Sequence, residues 1–177
     1  MLLRDVQLGD VDTYVRMRCD PRMMAELGGP FPREGIEAKV ARDVEASQSD
    51  TSWITMIIPD ASRPDVVAGN VVLWSHDWDG EPKSEIGWMV LPEFQGQGLA
   101  KRATRALLAR ARDDGRWGKV HATPGVTNGP SNGICRSLGF SLLGEREITF
   151  REQLFRANHW VIDPATDLAA PHGVPSG

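Results

Sequence analysis

Hydrophobic and polar positions change period repeatedly along the chain, and each change marks an element. Residues 2 to 8 alternate weakly and predict a short edge strand. In "GDVDTYVRMRCDP", Asp10 is placed to cap a helix whose apolar side carries Val11, Tyr14, Val15 and Met17, with a stop before Pro21. A glycine- and proline-containing loop, "RMMAELGGPFP", follows. Ile36, Val40 and Val44 then recur four apart among charges and predict a second amphipathic helix. "TSWITMIIP" and "VVAGNVVLWSH" flank the turn chemistry of "DASRPD" and predict an antiparallel hairpin. After a loop read as "DWDGEPK", the run "SEIGWMVL" is a third strand of this group. Leu99/Ala100, Ala103, Leu107 and Ala111 predict a long helix ending at Gly115. "GKVHAT" reads as a short strand and "NGPSNGICRSLGF" as a short helix ended by Gly139. "SLLGEREITF" and "EQLFRANHWVID" are two long strands. The predicted order is β-α-α-β-β-β-α-β-α-β-β, with one domain over residues 1–163 and a disordered tail over 164–177.

Composition narrows the classes. With 177 residues, 41% hydrophobic and 25% charged, the chain is long enough for one sizeable core. A net charge of -4 argues against a surface built to neutralise nucleic-acid phosphates. No apolar run reaches the roughly 18 residues of a membrane span, and charge enters the N-terminus too early for a signal peptide. Neither nucleic acid nor membrane is expected as a partner. Cys19 and Cys135 show no metal-ligand spacing, so no metal is expected and a reduced, cytoplasmic setting fits. The histidines are scattered singly and read as structural or exposed.

One stretch carries chemistry. "IGWMVLPEFQGQGLAKRA" runs from a strand through Gly96 and Gly98 directly into a helix, so unpaired backbone N–H groups and the helix dipole converge on one point. That point suits an anion, most naturally a phosphate, with Lys101 and Arg102 close by. The bland alternative is a tight connection that needs two glycines for its backbone alone. A dinucleotide fingerprint would need a third glycine where Lys101 stands, which disfavours a nucleotide-binding oxidoreductase, and the phosphate-loop pattern is absent.

Gln95, Gly98 and Ala100 fit a Q/R-x-x-G-x-G/A pattern, and Asn128 is followed twelve residues later by Phe140 in a Leu-Gly-Phe ending. In these motifs and in element order the chain resembles the GNAT superfamily of acyl-CoA-dependent N-acetyltransferases. "LLRDVQLGDVDTYVRMRCDPRMM" and Ser131 look most like its branch of ribosomal-protein N-terminal acetyltransferases. The resemblance implies an α/β (α+β) fold with a central mixed, largely antiparallel sheet flanked by helices. It also implies acetyl-CoA as acyl-donor substrate. Backbone groups of Gln95, Gly96, Gln97, Gly98, Leu99 and Ala100 would hold the pyrophosphate. Met89, Val90 and Leu91 would pair with the pantetheine arm in a slot beside a splayed strand, and Asn128 would help fix the cofactor.

The acceptor is expected to be a primary amine, of a small molecule or of a protein N-terminus. An alkyl ammonium, with a pKa near ~10.4, must lose a proton before it attacks. Glu85, at the head of the strand leading to the turn, matches a position where family members carry a glutamate base. It reads equally as a surface carboxylate or an attractor of cations. Asp77, Asp79 and Glu81, in the preceding loop, are weaker candidates of the same kind. Many relatives place a proton-donating tyrosine where this chain has Cys135, which is either a substitute acid or a buried core residue. Trp74, Trp78, Met23 and Met24 either wall an acceptor cleft or pack the core. The missing tyrosine keeps a non-catalytic acyl-CoA-binding module as the rival class. Aromatic C-terminal strands permit a homodimer.

Overall fold

A computed structural model describes residues 1–78, 80–150 and 153–168. The strands are β1 (Leu2–Asp5), β2 (Ser52–Ile58), β3 (Gly69–Trp78), β4 (Glu81–Val90), β5 (Val120–Ala122), β6 (Ser141–Phe150) and β7 (Gln153–Ile162). The α-helices are α1 (Val11–Arg18), α2 (Ile36–Ser47), α3 (Leu99–Asp114) and α4 (Gly129–Leu138). Their order along the chain is the one the hydrophobic pattern predicts. They build one seven-stranded sheet in the order β1-β2-β3-β4-β5-β7-β6. Only β4 and β5 run parallel; every other neighbouring pair is antiparallel.

Helices cover both faces, which is why β2 is buried from Trp53 to Ile58 rather than on alternate residues. Ile54, Met56 and Ile58 pack with Tyr14, Met17, Ile36 and Val40 of α1 and α2. Trp53 and Ile57, one position out of phase, join the opposite core with Leu99, Ala103, Leu107 and Ala111 of α3. Gly115, at φ +79°, ends α3 by donating its N–H to Ala111 O at 3.0 Å.

Several local expectations change. Asp10 stands at the N-cap of α1 but makes no cap bond. Its carboxylate is instead taken by Arg4 at 2.6 and 2.8 Å and by the Gln7 N–H at 2.8 Å, a stronger charged partnership. "DWDGEPK" is not a loop: Trp78 pairs with Glu81, so β3 and β4 form one long hairpin whose connection is Asp79-Gly80. Asp77 and Glu81 are therefore strand residues, and Asp79 lies outside the described residues. The first residues expected to belong to the tail are held against the fold. Asp163 accepts from the Thr166 and Asp167 N–H groups, and Leu168 packs on the core; residues 169–177 lie outside the described residues.

Candidate active site

The parallel pair is brief. Ser84 pairs with Val120 and Glu85 with His121, while Ile86 through Val90 pair with β3 alone among the described residues. The sheet therefore opens beside the C-terminal half of β4, and the unpaired strand edge there includes Met89 and Val90. Gly69 permits the close approach on the other side: a Cβ at this position, where φ is +154°, would lie 2.0 Å from Met89 O. Leu91 continues the chain with its N–H bonded to Ala68 O at 2.8 Å.

The turn into α3 stands at the end of this opening. Gly96 (φ +74°) and Gly98 (φ +69°) are both left-handed, conformations that carry little cost only for glycine. The N–H groups of Gly96, Gln97 and Gly98 donate to no other backbone group among the described residues. Those of Leu99 and Ala100 are in the first turn of α3, where no intrahelical acceptor exists. The Gln95 side chain donates back to Val90 O at 2.8 Å, and Arg102 donates to Gln97 O at 3.0 Å, so strand, turn and helix are tied together. The turn thus offers a row of backbone donors at a positive helix end.

Glu85 is not at a strand head, because β4 begins four positions earlier at Glu81. It sits where β4 and β5 part, with its side chain only 13% exposed. One oxygen accepts from the Thr123 hydroxyl, and the other lies 2.9 Å from His76 Nε2. Burial and two side-chain partners remove the reading of Glu85 as a strand-end surface carboxylate. Close by, His121 Nδ1 is 2.8 Å from His159 Nε2. Trp78 packs against His76, His121 and His159 at centroid distances of 5.8, 5.6 and 4.9 Å. The three described histidines are therefore clustered rather than scattered; His172 lies outside the described residues. Desolvation, then the charges of His159, Lys83, Lys119 and Arg146, lower the His121 pKa to about 4, and His159 is lowered chiefly by desolvation. Both rings are neutral at physiological pH.

Cys135 faces inward. It is completely buried in the α3-side core, and desolvation pushes its thiol up to about 12. That is a poorer acid than the thiol it would have to protonate. Asn128 caps α4, its side-chain oxygen accepting from the Ser131 N–H at 3.1 Å, so that oxygen is already engaged. Its neighbour Asn132 was not singled out by sequence, yet is almost fully buried. Asn132 donates to Gly125 O and Asn128 O and accepts from Asn158 and Trp160.

On the α1/α2 side the loop between those helices bridges the two lips of the opening. Met23 contacts Gln95 through its sulfur at 4.0 Å, and Glu26 accepts from the Thr127 hydroxyl at 2.8 Å. Met24 is core. Trp78 is buried too, while Trp74 is half-buried over Gly87. Among the described residues no group of three or more His, Cys, Asp or Glu side chains could hold a metal ion, and no helix is long and apolar enough to cross a membrane.

Known proteins are similar to this chain in sequence and fold. The uncharacterized N-acetyltransferase YnaD of Bacillus subtilis (strain 168) is 24% identical over 161 residues, spanning 90% of this chain and 88% of its own. The spermidine N-acetyltransferase of Vibrio cholerae, solved with CoA and spermine, superposes with a TM-score of 0.77 at 16% identity, covering 95% of this chain and 98% of that one. The Salmonella typhimurium acetyl transferase that modifies the N-terminal serine of ribosomal protein L7/L12 gives 0.73 at 17% identity, covering 91% and 93%. Two likenesses below 25% identity establish the fold. The model of the acetyltransferase (GNAT) domain matches residues 1–141, and the chain belongs to that family of acyltransferases, with acetyl-CoA as the acyl donor.

Proposed function

We propose that the protein transfers the acetyl group of acetyl-CoA to a primary amine, of a small molecule or of a protein N-terminus, by direct attack on the thioester. The observation that carries this reading is that the β4/β5 opening has a turn of free N–H groups at one end and a largely buried, hydrogen-bonded glutamate at the other. Amides of residues 96–100 hold the pyrophosphate, because the Gln95 N–H expected to join them is already bonded to Pro92 O at 3.2 Å. The edge of Met89 and Val90 pairs with the pantetheine, whereas Leu91 has its N–H on Ala68 O and its carbonyl taken by the Phe94 N–H. Asn128 keeps its amide NH2, and a second lone pair on its oxygen, to contribute to the cofactor.

The reaction needs two protons removed from the acceptor ammonium. Glu85 takes the first, which frees the lone pair to attack the thioester carbonyl. The C–N bond forms as the C–S bond breaks, and the second proton ends on the departing thiolate or in water. A thiol with a pKa near ~8.5 leaves without a protein acid, so a buried Cys135 does not block the chemistry. The carboxylates of Glu26 and Glu85 favour a cationic acceptor. The relatives that act on spermidine or on an N-terminal serine supply two probes of that kind. Two free thiols fit the cytoplasmic setting we infer.

Mass spectrometry of acetyl-CoA incubated with spermidine, a serine-initiated peptide and a panel of further primary amines should detect an acetylated amine. Thioester hydrolysis alone would overturn the proposal. With that acceptor, Glu85→Gln should lower kcat by at least ~10²-fold near neutral pH, within the usual contribution of a positioned base. A raised KM with kcat preserved would show that the carboxylate only attracts the substrate.

A further inference from the structure

The geometry points to His76 as the residue that positions Glu85 for catalysis, an inference that rests on Glu85 being the base. The β3/β4 hairpin brings them together: Trp74 is opposite Glu85, and His76, two residues further along β3, shares its face. An ionised carboxylate only accepts, so the 2.9 Å contact to His76 Nε2 is a hydrogen bond when that nitrogen carries the proton. Thr123 holds one carboxylate oxygen, but a single bond leaves the group free to rotate about it. His76 holds the second oxygen and fixes the plane.

The imidazole is itself held. Trp74, His76 and Trp78 alternate onto one face of β3, and the His76 ring lies 6.1 Å from that of Trp74 and 5.8 Å from that of Trp78, stacked on the latter at 23°. At 37% exposure its side chain remains in contact with solvent while bonded to a glutamate that is nearly buried. Lys83, opposite His76 on β4, Arg146, over Trp78, and Lys119, near His121, are the cations around the cluster. His121 and His159 complete it, and Asp77 is adjacent on β3. Among these, His76 is the one whose ring bonds Glu85.

Two substitutions separate the bond from the ring. His76→Phe keeps an aromatic ring between the tryptophans and removes the N–H; His76→Gln keeps an N–H donor at a similar reach and removes the ring. With the acceptor identified above, His76→Phe should lower kcat by about tenfold to a hundredfold, the scale of a misplaced catalytic group, with KM for acetyl-CoA unchanged. His76→Gln should restore most of it. An unimpaired Phe variant, or a Gln variant as impaired as Phe, overturns the positioning role. Glu85→Gln measured alongside distinguishes the two readings. If it loses kcat while His76→Phe does not, only the role of His76 falls; if it keeps kcat, the base assignment falls and takes this inference with it. A measurement that needs no acceptor is ¹⁵N NMR of the imidazole in the full-length native protein. It should find Nε2 protonated, with the Nε2 proton signal lost in Glu85→Ala; an Nε2 without a proton at neutral pH overturns the inference.

Discussion

A thiol in a protein interior behaves as a small apolar group, and burial of Cys135 in the core pushes its thiol up rather than activating it. Its position in α4, among Ala103, Leu107, Leu138 and Trp160 of the same core, makes volume and polarity the properties that matter. Cys135→Ala should therefore cost about 1 kcal/mol of stability through a small cavity and leave kcat within about tenfold. Cys135→Ser should cost more, about 1–3 kcal/mol, because the core offers the hydroxyl no solvent to replace a lost hydrogen bond. Thermal unfolding and steady-state kinetics of the two variants check both halves. A loss of three orders of magnitude in kcat for a folded Ala variant would instead make the thiol a participant in the reaction.

At the scale of elements, the junction of β4 and α3 needs left-handed backbone twice in three residues, and no protein atom crowds either position: a Cβ at Gly96 meets nothing within 4 Å, and one at Gly98 meets only Arg102 Nη1 at 3.6 Å. Backbone strain and loss of access for a phosphate can therefore be separated by a control. Gly98→Ala and Gly35→Ala each force alanine into a left-handed helix N-cap, at a cost of about 1–2 kcal/mol. Only Gly98→Ala should also weaken acetyl-CoA binding, by at least about tenfold in calorimetry, and equal affinities in the two variants would remove the phosphate from this turn. The turn was legible because glycine and helix periodicity are local signals. The elements were legible for the same reason, down to the apolar spacing of α3. The length of the β3/β4 hairpin is also written in the sequence: Asp79-Gly80 is strong two-residue turn chemistry, and a turn there pairs Trp74 with Glu85. Thr123, His121 and His159 had no such signal. They reach the site through the parallel contact of β4 with β5 and the return of β7, long-range pairings that no local period encodes.

For the whole molecule, the parting of β4 from β5 has a stability consequence, because the residues at the point of parting come from distant parts of the chain and include polar rings removed from water. His121 is paired with Glu85 across the two strands, hydrogen-bonded to His159 and packed on Trp78, so folding desolvates it among Lys83, Lys119 and Arg146. Its pKa falls from the ordinary 6.5 to about 4 on folding. Between those values the unfolded chain binds a proton that the folded protein does not, so protonation favours unfolding. The contribution of the neutral ring is therefore complete above roughly pH 6.5 and is lost progressively as the pH falls toward 4; His159, lowered in the same direction, adds to it. Urea unfolding at pH values from 7.5 to 4.5 should show the native midpoint declining through this window, ahead of most carboxylate titration. His121→Gln, which can keep a polar contact to His159 but cannot titrate, should flatten the decline even if it starts from a lower stability at pH 7.5. Parallel curves for the native and Gln proteins would mean that the acid sensitivity of the fold originates elsewhere than at the mouth of the sheet.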